Sequence, residues 1–217
     1  MKKPKILIAG YGSWAKAKEN PAQAIALELG ACTWACCDVI GVGMPVDTVA
    51  VSSEIDRLLT EHSPDAWIGV GVSSAANVQA EFIGINWRAF DVPDAGGKSI
   101  DGAEIIEGGP PAYYATLPNS EIVEAIKAAG IPSEVSFHAG THLCNQMLYA
   151  TAHQIKARGL STLTGFIHVP RTPANILELD DRKMNLPSMS LALSSEAVAC
   201  CVETTAQALI EQLEKRA

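Results

Sequence analysis

A thiol, an imidazole and a carboxylate stand far apart along this chain, at Cys144, His168 and Glu81. Together they could form a nucleophilic centre for acyl transfer. The stretch Ala139-Gly140-Thr141-His142-Leu143-Cys144-Asn145 follows a strand-like segment and opens a helix. With Thr141 as N-cap, Cys144 falls in the first helical turn. There the free backbone N–H groups and the positive end of the dipole stabilise a thiolate. The same N–H groups can receive a developing oxyanion. The competing reading is a core cysteine on the inner face of that helix.

The apolar run Gly165-Phe166-Ile167-His168-Val169-Pro170 carries a histidine near its carboxyl end, where a base could meet a group at a helix start. His138 and His142 flank the cysteine loop and are rival bases, while His62 at a helix end and His153 in mid-helix read as surface residues. A carboxylate on the second ring nitrogen would fix the tautomer and stabilise the imidazolium. Glu81, ahead of Phe82-Ile83-Gly84-Ile85-Asn86, is one of several acids that could serve.

A different chemistry is suggested by Gly10-Tyr11-Gly12-Ser13-Trp14-Ala15, which matches a dinucleotide-binding glycine motif after a strand, with Asp38 as the ribose ligand. In that motif the helix starts among the glycines. Here Asn20-Pro21 marks a later start, and Tyr11 and Trp14 suit the walls of a pocket better than a phosphate cradle.

These residues need a scaffold. Lys5–Gly10, Cys32–Ile40, Asp65–Val72, Phe82–Trp87, Ser133–His138 and Thr162–Val169 read as strands. Helices are expected from Pro21 to Leu29, Asp47 to Glu61, Asn119 to Ala129, about Cys144 to Arg158, and Ser188 to Lys215. Asn20 caps the first and Gly30 lies past its end. The glycines and prolines of Asp91–Tyr114 predict a long loop. Alternating strands and helices imply a mostly parallel sheet with helices on both faces, and sites at the carboxyl ends of its strands. That places the loops after Gly10, Val72, His138 and Ile167 at the site.

The 217 residues, 48% hydrophobic and 18% charged, support one core, so residues 1–217 are expected to form a single domain. A formal charge of −8 disfavours a nucleic-acid partner. The N-terminal apolar run is too short for an export signal or a membrane span, which points to a reducing, cytoplasmic setting. The six cysteines are then thiols, and their spacing does not suit zinc. Apart from Cys144, they read as packing residues.

Several stretches resemble the pyroglutamyl peptidase type I (pyrrolidone-carboxylate peptidase) family. The cysteine motif with Tyr149 behind it and the histidine motif are the most specific. Glu81 with Ile85-Asn86 and Pro93-Asp94 is similar to the family's acid motif, Gly109–Pro118 to its loop and helix entry, and Lys5–Pro21 to its first strand and aromatic loop. The resemblance spans nearly the whole chain, in order. It implies a single-domain three-layer α/β/α sandwich with a mostly parallel twisted sheet. It also implies a cysteine omega-peptidase that removes N-terminal pyroglutamyl groups from peptides, without metal or cofactor, often as a homo-oligomer (tetramer or dimer).

Carried over by position, Cys144 is the nucleophile, His168 the base and acid, and Glu81 the orienting acid. Tyr11, Trp14, Val92, His142 and Leu143 border the pocket. The sequence departs from the family at Ser73-Ser74-Ala75, where Gly-Gly-Arg is usual, and at Asp91, where an arginine is usual. Arg88 is the nearest basic residue, and His142 replaces an apolar one. An inward-pointing Asp91 would disfavour a nearby thiolate. Two alternatives stay open: a pseudoenzyme that binds blocked peptides, and a nucleotide-binding oxidoreductase.

Overall fold

The computed structural model describes residues 3–13, 19–179 and 185–215. Its centre is a six-stranded sheet in the order β2-β1-β3-β10-β4-β9. The strands are β1 (Lys5–Tyr11), β2 (Asp38–Met44), β3 (Ala66–Ser73), β4 (Val78–Glu81), β9 (Ser133–Ser136) and β10 (Leu163–Pro170). All pairings are parallel except β10 with β4. Two short ribbons stand beside it: β5 (Ile83–Ile85) with β8 (Ala112–Tyr114), and β6 (Arg88–Phe90) with β7 (Ile100–Ala103).

Strand alternation sorts the side chains into two cores. Ile6, Ile8, Ile68, Val70, Val78, Ala80, Ile167 and Val169 face one side. They pack against α1 (Pro21–Gly30), α3 (Asn119–Ala128) and α6 (Leu191–Glu214). Leu7, Ala9, Trp67 and Phe166 face the other side, against α2 (Ala50–His62) and α4 (Leu143–Ala157). Each fully buried Val, Leu, Ile or Phe side chain among them contributes about 1.5–3 kcal/mol. The result is the expected three-layer arrangement of helices on both faces of a mostly parallel sheet.

Local chemistry explains the helix starts. Asn20 caps α1 by accepting the Ala22 N–H at 3.0 Å, and Pro21 occupies the first turn. A short α5 (Pro173–Leu177) carries a Thr172–Asn175 capping box.

Several element boundaries differ from the sequence expectation. Cys32–Cys37 forms turns and only Asp38 onward pairs with β1, because the Asp38 N–H meets the Pro4 carbonyl at 2.9 Å. The Phe82–Trp87 segment is the small ribbon strand β5 rather than a sheet strand, and the sheet partner is the preceding β4. The 91–114 segment holds β7 and β8 and is not one long loop: Pro93, Gly96 and Gly97 lie in the turn between β6 and β7, Gly102 lies within β7, and Gly108 to Pro111 precede β8. Asn86 organises it, donating to the Ile106 and Gly109 carbonyls and accepting from the Ile105 and Ile106 N–H groups.

The glycines of the 10–15 motif serve packing. A Cβ on Gly10 would lie 2.0 Å from the Ala22 carbonyl oxygen, so Gly10 is the seat of the first turn of α1. That helix starts well beyond Gly12, unlike a dinucleotide fold. Among the described residues, no helix is long and apolar enough to cross a membrane.

Candidate active site

Cys144 is the second residue of α4. The cap is His142, one position later than the sequence predicted, because the Thr141 hydroxyl donates instead to the Ala89 carbonyl at 2.7 Å. Cys144 nonetheless stays in the first turn, where helical N–H groups have no intrahelical acceptor. Its sulfur lies over β3: a Cβ on Gly71 would be 2.9 Å from Cys144 Sγ and 2.7 Å from Phe166 Cζ. The bare backbone of Gly71 therefore lets the helix start settle onto the sheet.

Asn145 fastens this helix start from the side. Its Oδ1 accepts the Ile85 N–H, and its Nδ2 donates to the Ile85 and Trp87 carbonyls, each at 2.9 Å. Tyr11, at the end of β1, is buried and donates its hydroxyl to the Leu143 carbonyl at 2.6 Å. Burial, and then the charge of Cys144, hold the Tyr11 phenol well above its ordinary pKa, so it remains a donor.

His168 sits on β10, in register with Gly71 of β3 on one side and Gln79 of β4 on the other. Its ring is buried, and Cys144 is near enough to raise its pKa. On the other side, Nδ1 lies 2.7 Å from Glu81 Oε1. Burial alone would drive the imidazolium pKa down. Cys144 and Glu81 together outweigh it, so the pKa of His168 is pushed up to about 10. Phe166 stands edge-on to the imidazole with ring centroids 5.0 Å apart, which limits its rotation.

Glu81 is 1% exposed, an arrangement a carboxylate adopts only with a partner. Its backbone carbonyl accepts from Asn119 Nδ2 at 3.1 Å. Thus Glu81, Cys144 and His168 converge from β4, α4 and β10. The rival bases His138 and His142 and the surface histidines His62 and His153 have contacts elsewhere. His138 Nδ1 accepts the Gly140 N–H at 2.9 Å, and His153 meets the Tyr113 hydroxyl at 3.1 Å. His62 stands beside Glu61 at the end of α2.

Of the expected pocket residues, Tyr11, His142 and Leu143 meet at the start of α4. His142 packs on Phe90 with centroids 4.0 Å apart, and its Nε2 lies 3.2 Å from the Val92 carbonyl oxygen. Leu143 is buried beneath, while the Val92 side chain is exposed. Trp14 lies outside the described residues.

Asp91 is exposed, so its charge is solvated. Arg88 bonds Thr48 Oγ1 at 2.9 Å, and that hydroxyl donates to Gln146 Oε1 at 2.7 Å. Gln146 in turn donates to the Thr48 carbonyl at 2.8 Å, tying the start of α4 to the segment before α2. Sequence reasoning missed this network and the Asn145 clamp. Their only signal was polar side chains in the first turns of a helix whose remaining residues are mostly apolar.

Among the described residues, no group of three or more His, Cys, Asp or Glu side chains could hold a metal ion. The other five cysteines are free thiols. Burial pushes Cys201, and burial with Cys36 beside it pushes Cys37, up to about 12.

The pyroglutamyl peptidase family model matches residues 4–208. The pyrrolidone-carboxylate peptidase of Pyrococcus furiosus is 31% identical over 207 residues, covering 95% of this chain and all (100%) of the relative. That of Coprothermobacter proteolyticus is 32% identical, covering 94% and 98%. The crystal structure of the Pyrococcus furiosus pyrrolidone carboxyl peptidase superposes with a TM-score of 0.90 at 32% identity, over 94% of this chain and 99% of that one. On sequence and fold alike, the chain belongs to the pyroglutamyl peptidase family and is a hydrolase.

Proposed function

We propose that the protein removes N-terminal pyroglutamyl groups from peptides through a Cys144–His168–Glu81 triad and a thioacyl intermediate. The observation that carries this reading is the buried imidazole held between the two other side chains. Nδ1 is 2.7 Å from Glu81 Oε1, and Cys144 at the start of α4 is the strongest influence raising the pKa of the same ring.

Each step follows from those positions. His168 withdraws the thiol proton, and the thiolate attacks the pyroglutamyl carbonyl carbon. The oxygen becomes an oxyanion that N–H groups of the first turn of α4, including that of Cys144, can receive. The imidazolium, held charged by Glu81, delivers its proton to the departing amine as the C–N bond breaks. Water then attacks the thioester carbonyl while His168 takes its proton, which releases pyroglutamate and the free thiol.

The walls suit an uncharged lactam. Tyr11, His142, Leu143, Val92 and Trp14 are the residues expected to border it, and Tyr11, His142 and Leu143 support this by meeting at the start of α4. An ordinary N-terminal ammonium would have to shed its hydration there, at a cost that excludes it. No metal or cofactor enters the scheme. A cytoplasmic setting and a homo-oligomer, tetramer or dimer, are part of the same proposal, and light scattering of the purified chain tests the second.

The direct test follows release of a fluorogenic amine from a pyroglutamyl amide by wild type and by Cys144→Ala. Turnover by wild type that vanishes in the variant is expected. No turnover by wild type defeats the proposal and leaves binding of blocked peptides as the reading.

A further inference from the structure

The face of the sheet that carries the triad continues past His168, away from the expected pocket. Val78 and Ala80 point into the opposite core, so Gln79 and Glu81 share the face of Phe166 and His168. Val135 packs toward that opposite core as well, which puts its neighbour Glu134 on the site face. Register then aligns Gly71, His168, Gln79 and Glu134 in one row across β3, β10, β4 and β9. With strands about 4.8 Å apart, Gln79 lies one step beyond the imidazole and Glu134 roughly 10 Å from it.

The end of this row is polar and open. Gln79 Nε2 donates to Glu134 Oε1 at 3.0 Å, and Ser73 Oγ lies 3.4 Å from Gln79 Oε1. Gln79 first, and then Asn77, hold the Glu134 carboxyl below its ordinary value. Glu134 is exposed, and no described Lys, Arg or His lies within ion-pair distance of it. It is thus a carboxylate oriented by the Gln79 amide, with no described cation in ion-pair contact.

The sheet order gives the row a direction. Tyr11 ends β1, on the opposite side of β3 from β10, β4 and β9, so an acyl group held on the Tyr11 side of the sulfur leaves the amine that His168 protonates on the Gln79 side. We infer that Gln79 and Glu134 form the subsite for the residue that follows the pyroglutamyl group, and that the preferred substrates are pyroglutamyl peptides with lysine or arginine there. This rests on the hydrolase reading above and goes beyond it. The stem of a lysine or arginine spans the distance from the departing amine to Glu134, whereas an acidic side chain meets repulsion.

The experiment compares pyroglutamyl-lysine amide with pyroglutamyl-glutamate amide. Wild type is expected to show a kcat/KM ratio of about fivefold or more in favour of lysine, the size suited to one exposed charge contact acting with opposite sign on the two substrates. Glu134→Gln brings the ratio close to one, and Glu134→Lys inverts it. Higher ionic strength shrinks the wild-type preference.

A wild-type ratio at or below one, or a ratio that neither substitution moves, overturns the inference. Calorimetric binding of the same two peptides to Cys144→Ala, with and without Glu134→Gln, reads the charge preference without turnover. Failure of hydrolysis, seen with the fluorogenic amide, is thereby distinguished from failure of the subsite.

Discussion

Cys144 Sγ lies 2.9 Å from the point where a Cβ on Gly71 would stand, so the nucleophile candidate rests directly on the backbone of the central sheet. Gly71 is in register with His168, and the same missing side chain lets the Phe166 ring pass beside the imidazole. One glycine therefore sets the height of the sulfur and the space of its partner.

Gly71→Ala should leave the fold standing but displace the sulfur or the Phe166 ring. A displacement near 1 Å at a reacting group costs on the order of 100-fold in kcat. Overpacking of this kind also lowers stability by about 1–3 kcal/mol. Steady-state turnover of a fluorogenic pyroglutamyl amide, with the denaturant midpoint measured alongside, checks both. Wild-type kcat in the variant would show that the sulfur's seat on β3 is immaterial.

Glu81→Gln keeps the size of the side chain and removes the charge that faces Nδ1. The expected fall in kcat is about 1,000-fold or more, since the neutral amide neither stabilises the imidazolium nor enforces the right tautomer. The pKa of His168, about 10, lies above the ordinary histidine value of 6.5. A group raised on folding adds stability that is complete below the unfolded pKa and is lost as pH rises through the folded one. The wild type should accordingly lose stability between pH 6.5 and 10, and Glu81→Gln should show a flatter slope there. Thermal unfolding across that range reports it, and parallel slopes in the two proteins would contradict the pairing.

Much of this was legible in the sequence, for identifiable reasons. Asn20-Pro21 announces a helix start by chemistry that acts within three residues, and the structure begins α1 at Pro21. Cys144 and His168 stood out because each interrupts an apolar pattern at an element's end. The β4 strand was harder to find. Val78-Gln79-Ala80-Glu81 alternates cleanly, yet it is only four residues long and its partners are β9 and an antiparallel β10. Nothing local says which strands it will meet. Likewise, Asn145 and Gln146 act through bonds to Ile85 and Thr48, and such long-range partners leave no trace in spacing.

Asn145→Ala tests the clamp. It removes one acceptor and two donors, leaving the Ile85 N–H and the Ile85 and Trp87 carbonyls short of partners. Each buried group so stranded costs about 1–3 kcal/mol, less where water or relaxation supplies a substitute. Because the clamp holds the turn that carries Cys144, kcat should fall more than KM rises. A variant that loses stability while keeping kcat would make Asn145 a purely structural residue.

Burial holds the pKa of His142 below its ordinary value, against the opposing effects of the Val92 carbonyl and of Asp94. The ring therefore takes up its proton at lower pH than an ordinary imidazole does. Asp94, held low by N–H groups including those of Thr48 and Lys98 despite its burial, stays ionised through the same range and does not confuse the titration. A protonated His142 would have to surrender hydration to a neutral lactam, which weakens binding. KM for a pyroglutamyl amide should consequently rise as pH falls from 7 toward 5. In His142→Phe that rise should disappear, because an aromatic wall remains but its charge cannot change. An unaltered acid rise in KM in the variant would assign the titration to another group and remove His142 from the substrate's surroundings.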